Sequence, residues 1–157
     1  MKKIRRLSPA VTDAAARAQV ENAWGTAIPE TPGRDTAGIL AAAAAGELGG
    51  LLIGGVELDD LPDPAAARRA VANAGFVVSL ELRPSEVTDL ADVVLPVAAA
   101  PEKAGAYLDW EGRVRPFNTA LKWAGGLDDA RVLDTLGVEM DVDLYTQTPK
   151  SATGDLA

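Results

Sequence analysis

Apolar positions along this chain fall into short clusters whose spacing changes from one segment to the next. Over residues 12–24, Ala16, Val20 and Trp24 recur at steps of four behind two candidate N-caps, Thr12 and Asp13, and Gly25 follows. That spacing predicts a helix with one apolar stripe. The segment IPETPGRD then supplies two prolines and a glycine as a linker, which places the edge of the compact unit near Pro32. Beyond it Asp35 can cap a helix reaching about Ala45, with Gly46 to close it. Asp63-Pro64, a cap followed by proline at the first helical position, opens an alanine-rich helix to about Asn73.

Between and after these helices stand short apolar runs. LLI at 51–53, FVVSL at 76–80 and DVVLP at 92–96 read as strands, and a helical turn over 85–90 joins the last two. Strands this apolar, separated by helices, argue for an α/β fold: a small parallel sheet with helices on both faces. The alanines allow those helices to approach the sheet closely. After Pro96 the rhythm becomes that of a hairpin, and a helix over about 128–136 follows, with Val132, Leu133 and Leu136 inward and Gly137 as its stop. The expected organisation is an N-terminal helix and linker (1–31), an α/β domain (32–142) and a flexible tail (143–157) that has lost the periodic pattern.

The hairpin holds the densest chemistry. PEKAGAYLDWEGRVRPF, residues 101–117, carries acids, bases and aromatics together. Aspartate at 109 and glycine at 112 suit a type I turn closed by a left-handed glycine, which sets Asp109 opposite Arg113, Leu108 opposite Val114 and Tyr107 opposite Arg115. One face then offers a cross-strand ion pair beside a cation–π contact, and the other offers Leu108 and Val114 for burial. These charges have a structural explanation, because the motif holds no nucleophile and no base titrating near neutrality. Trp110 at the turn tip, with Trp123 in LKWAGG, either anchors against a partner or folds back to close the core.

Two other groupings carry less. The glycines at 49, 50, 54 and 55 match neither a G-x-G-x-x-G fingerprint nor a Walker loop and read as tight turns. Glu57, Asp59, Asp60 and Asp63 lack the ligand spacing of a calcium loop and read as a solvated loop ending in a helix cap.

Composition narrows the chemistry further. The 157 residues contain neither cysteine nor histidine, so thiolate nucleophiles, cysteine-held iron–sulfur clusters and the commonest metal ligand are all excluded from this chain. The chain is therefore expected to carry no iron, zinc or molybdenum. Lys and Arg number 15 against 23 Asp and Glu, a formal charge of -8 that disfavours nucleic acid. The apolar stretch 39–56 is interrupted by Gly46-Glu47 and Gly49-Gly50 and is not a membrane span. MKKIRRLSPA has no apolar core after its basic start, so no secretory signal is expected, and the setting is expected to be cytoplasmic.

The order ADVVLP, then an acid, then AGAYLDWEGR, preceded by LLIGGV and FVVSLELRPSEVTDL, resembles the molybdopterin oxidoreductase superfamily. Within it the likeness, over about residues 12–142, is to the branch formed by the large iron–sulfur subunit (the G subunit) of the proton-pumping NADH-quinone oxidoreductases, complex I. The resemblance implies a fragment of a longer parent whose cluster-binding cysteines lie in its front part. It further implies a non-catalytic scaffold in the peripheral arm, beside the cell membrane but not inserted in it. The parent's remainder and other peripheral-arm subunits would be the partners. Glu102, Gly105, Asp109, Glu111, Gly112 and Arg113 occupy the family's motif positions. Ala106 and Asp109 stand where the family commonly has threonine and asparagine, two neutral hydrogen-bonding groups lost from the strand nearest the pterin in enzymatic relatives. Two alternatives stay open: a pterin-pocket fragment of a molybdenum enzyme, and a flavodoxin-like nucleotide-binding domain.

Overall fold

A computed structural model describes residues 12–122 and 125–146. Helix α1 (Ala14–Trp24) begins where the Asp13 carboxylate accepts from the N–H groups of Ala15 and Ala16, and it ends at Gly25 in the left-handed region. The cap chemistry is as the sequence predicts, but the apolar stripe is not buried: α1 has no buried residue, and Trp24 is 57% exposed. A stripe of alanine, valine and one tryptophan needs a facing surface, and among the described residues it is covered only in part: Ala16 and Val20 are half-buried and Trp24 is left exposed.

Helix α2 (Thr36–Ala44), strand β1 (Leu51–Gly54), helix α3 (Pro64–Asn73), strand β2 (Val77–Glu81), helix α4 (Glu86–Leu90) and strand β3 (Val93–Pro96) follow in strict alternation. Asp35 and Asp63 cap α2 and α3 through Gly38 N–H and Ala66 N–H, and Ser85 and Thr88 form a reciprocal capping box on α4. The strands form one parallel sheet in the order β1-β2-β3, with Leu51 opposite Val77 and Val78 opposite Val93. One residue's slip would turn every side chain to the other face, so burial fixes this register.

The two faces are covered unequally. On one, Val77 of β2 packs with Ala67 and Val71 of α3, Val87 of α4 and Leu58 from a short 3-10 turn, joined by half-buried Leu40 and Ile53. Ala42, Ala43, Ala67 and Ala70 are all buried where α2 meets α3, so the small side chains bring these two helices close to each other, where the sequence predicts a close approach to the sheet. On the opposite face Leu80 packs with Val97 and with Val132 of α5 (Asp129–Glu139). That cover is partial, and Leu52 remains exposed. Gly50 sits where the β1 backbone meets the turn before β2: a Cβ there would come within 3.1 Å of the Phe76 carbonyl oxygen.

Two expectations change in the C-terminal part. Helix α5 runs through Gly137 to Glu139, because the sharp stop comes only at Met140, whose N–H returns to the Leu136 and Gly137 carbonyls. Leu133 is not inward in the core; it lines the cleft described below. The chain after α5 turns back along it, with Val142 N–H on the Gly137 carbonyl and Thr146 N–H on the buried Asp134 carboxylate. Residues 147–157 lie outside the described residues.

Candidate functional site

The hairpin forms in the register the turn chemistry predicts. Strands β4 (Gly105–Leu108) and β5 (Val114–Phe117) pair antiparallel, with Leu108 opposite Val114 and Tyr107 opposite Arg115, and Gly112 adopts φ +82°. Asp109 organises the turn: its Oδ1 accepts from the N–H groups of Glu111 (3.1 Å) and Arg113 (2.8 Å). Its Oδ2 accepts from the side chains of Arg113 (3.1 Å) and Arg115 (3.2 Å). The Arg113 N–H and the two guanidinium groups hold the Asp109 carboxyl below the usual carboxylate range, so it stays ionised in mild acid.

The faces of this ribbon differ from expectation in two respects. Arg115 is drawn to Asp109, so Tyr107 stacks on Phe117 instead, ring centres 5.0 Å apart. Phe117 can lie there because Gly105 has no side chain; a Cβ would meet the ring at 2.6 Å. Leu108 and Val114 are not buried but are 57% and 60% exposed. Trp110 at the tip is 93% exposed, so it does not close the core. Trp123 lies outside the described residues.

A cleft of about 740 Å³ opens beyond the carboxyl ends of the parallel strands, the position at which open α/β sheets take ligands. Gly54 and Gly55 form one wall, Glu81 and Leu82 another, and Gly105, Tyr107 and Phe117 of the hairpin close the far side. Lys103 reaches across its rim to pair with Asp129 in the first turn of α5. Asp128 caps the same helix, its Oδ1 accepting from Arg131 N–H at 2.8 Å. Of the motif positions, only Gly105 lines the cleft; Glu102 bonds the Ala99 N–H beside it, and Asp109, Glu111, Gly112 and Arg113 sit at the hairpin tip.

The acidic loop has partners that spacing alone did not reveal. Glu57 pairs with Arg83, and Asp59 pairs with Arg68, whose guanidinium also grips both oxygens of Glu86. Arg68 thereby ties α3 to α4 and lowers the Glu86 pKa. Nine and eighteen residues separate Arg68 from its two partners, and only the fold brings them together. No group of three or more acidic side chains suited to a metal ion occurs among the described residues. No helix among them is long and apolar enough to cross a membrane.

Residues 10–127 match the family model described as molybdopterin oxidoreductase. The chain belongs to that family. It is 58% identical over 139 residues to the NADH-quinone oxidoreductase G subunit of Streptomyces coelicolor, a match covering 85% of this chain and 16% of the relative. The corresponding G subunit of Mycobacterium bovis is 50% identical over 151 residues, covering 94% of this chain and 19% of that protein. More distant is the alpha subunit of the NADPH-Fe(3+) oxidoreductase of Geobacter sulfurreducens, 29% identical over 136 residues. The chain thus spans less than a fifth of the length of these two NADH-quinone oxidoreductase relatives.

The family name implies a pterin cofactor, which bears phosphate, and the cleft can be tested against it. Its described lining holds three carboxylates, Glu81, Asp128 and Asp129, against one ammonium, Lys103, and that ammonium is already paired. The α5 N-terminus, otherwise a natural anion site, is taken by Asp128. A phosphate entering this space meets repulsion and, among the described residues, no free cation. The residues present do not fit the group.

Proposed function

We propose that the chain is a structural, non-catalytic domain of the large iron–sulfur subunit of an NADH-quinone oxidoreductase. Electron transfer from NADH to quinone would be carried by iron–sulfur clusters elsewhere in the parent, since this chain has no cysteine to hold one. The remainder of the parent polypeptide and other peripheral-arm subunits would be its neighbours, on the cytoplasmic side and outside the membrane. The cleft carries this reading: it lies where the fold would bind a nucleotide or pterin, yet its charges oppose a phosphate and the Lys103 ammonium is engaged. The same observation counts against the pterin-pocket and flavodoxin-like alternatives. In this reading the cleft, the hairpin and the three-stranded sheet serve as shape within a larger assembly.

Titration with guanosine diphosphate, a phosphate-bearing nucleotide probe, tests it on the isolated chain. Amide resonances of Gly54, Gly55 and Leu82 are expected to stay in place up to millimolar nucleotide. Saturable shifts at these positions with a micromolar midpoint would overturn the scaffold reading in favour of a ligand-binding one.

A further inference from the structure

The hairpin β4–β5 is built as an arm. Among the described residues it pairs with no third strand, so both its edges are open, and a lone two-stranded ribbon is marginal in water. It meets the body mainly along the cleft wall, and the Ala120 and Leu121 N–H groups on the Pro101 carbonyl close its base. Its inner face, Tyr107 stacked on Phe117, looks into the cleft. Its outer face presents Leu108 and Val114, and the tip adds a nearly free indole, Trp110.

The charges at the tip decide what that surface suits. Two acids, Asp109 and Glu111, face two guanidinium groups, Arg113 and Arg115, and all four are engaged with one another. Covering the tip therefore strands no charge, the usual penalty for burying polar groups at an interface. Gly112 and the two turn hydrogen bonds to Asp109 Oδ1 already fix the loop, so little conformational freedom remains to be lost on docking. A rigid, self-neutralised turn carrying an exposed tryptophan beside aliphatic side chains has the composition of an interface anchor.

We infer that the Trp110 arm docks onto another region of the same long polypeptide, outside the stretch that this chain matches. The inference rests on the reading of the chain as a domain of the large iron–sulfur subunit. It commits to that occupant because the aligned stretch is only 16–19% of the relatives, which leaves most of such a polypeptide to lie against this domain. An arm neutral in itself calls for an apolar recess and not for an oppositely charged surface.

The experiment places this chain's sequence in the Streptomyces coelicolor relative, in place of the stretch it matches, with Trp110→p-benzoylphenylalanine as a photo-crosslinker. Accumulation of assembled enzyme reports on the proposed function. The crosslink reports on the arm. The expected product is an intrachain link from position 110 to a peptide outside the replaced stretch. Links to a second copy or to another subunit, or the absence of any link in an enzyme that does assemble, would overturn the inference. In parallel, Trp110→Ser is expected to lower the assembled amount several-fold while leaving the denaturation midpoint of the isolated chain unchanged. Equal assembly of Trp110→Ser and the parent chimaera would likewise count against the arm.

Discussion

Val77→Asp is expected to leave the isolated chain without a cooperative unfolding transition at 25 °C. Val77 is 1% exposed, lies on the central strand of three, and faces Val71, Val87 and Leu58. A carboxylate there loses its water and finds no cation among those neighbours, at a cost of several kcal/mol. A domain of this size has about 5–15 kcal/mol of stability in total, and the uncovered Leu52 and partly covered α1 suggest a position near the lower end. Val77→Ala provides the scale: two carbons removed at about 0.8 kcal/mol each, plus the cavity they leave, cost about 2 kcal/mol. Circular dichroism through a urea series checks both. A folded Val77→Asp chain with an unchanged midpoint would mean that β2 is not the centre of the sheet.

Gly112→Val is expected to unravel the hairpin and spare the rest. At φ +82° a β-branched residue is strained by about 1–3 kcal/mol. Amide exchange at Asp109 and Gly112, whose N–H groups close the turn, should then accelerate by about 10- to 100-fold, since each 1.4 kcal/mol is a factor of ten. The sequence alone predicts a loss of stability for the whole domain. The structure moves that effect into the arm, because the ribbon shares few contacts with the sheet and its helices. Glu111→Ala removes only an exposed partner of Arg113 and is expected to change exchange less than threefold. Equal exchange rates for the Gly112→Val and Glu111→Ala variants would refute the turn assignment.

What the sequence made legible and what it hid follow a physical division. Local chemistry was readable: Asp13, Asp35 and Asp63 cap the helices they precede, and the Asp109–Gly112 turn fixes the hairpin register residue by residue. Each of these caps and turn bonds depends on neighbours within four positions. Burial was harder to read, because it depends on what lies opposite. Leu108 and Val114 alternate as a buried ribbon face should, yet no described element covers them. Gly137 reads as a helix stop, but the returning chain at Val142 supplies the partners that let α5 pass through it. The cleft had a partial signal in Gly54 and Gly55 just past a strand, while its charge balance depends on Lys103, Asp128 and Asp129, which only the fold brings to one rim.

The measurement closest to the central claim is NADH-to-quinone turnover per assembled enzyme in the Streptomyces chimaera, with the cleft altered by the paired change Glu81→Gln and Lys103→Gln. A purely structural domain predicts that turnover, normalised to the iron–sulfur signal, stays within twofold of the unaltered chimaera, and that any loss appears as less assembled enzyme. A normal amount of assembled, cluster-bearing enzyme with turnover reduced tenfold or more would contradict it, and would place the cleft in the chemistry.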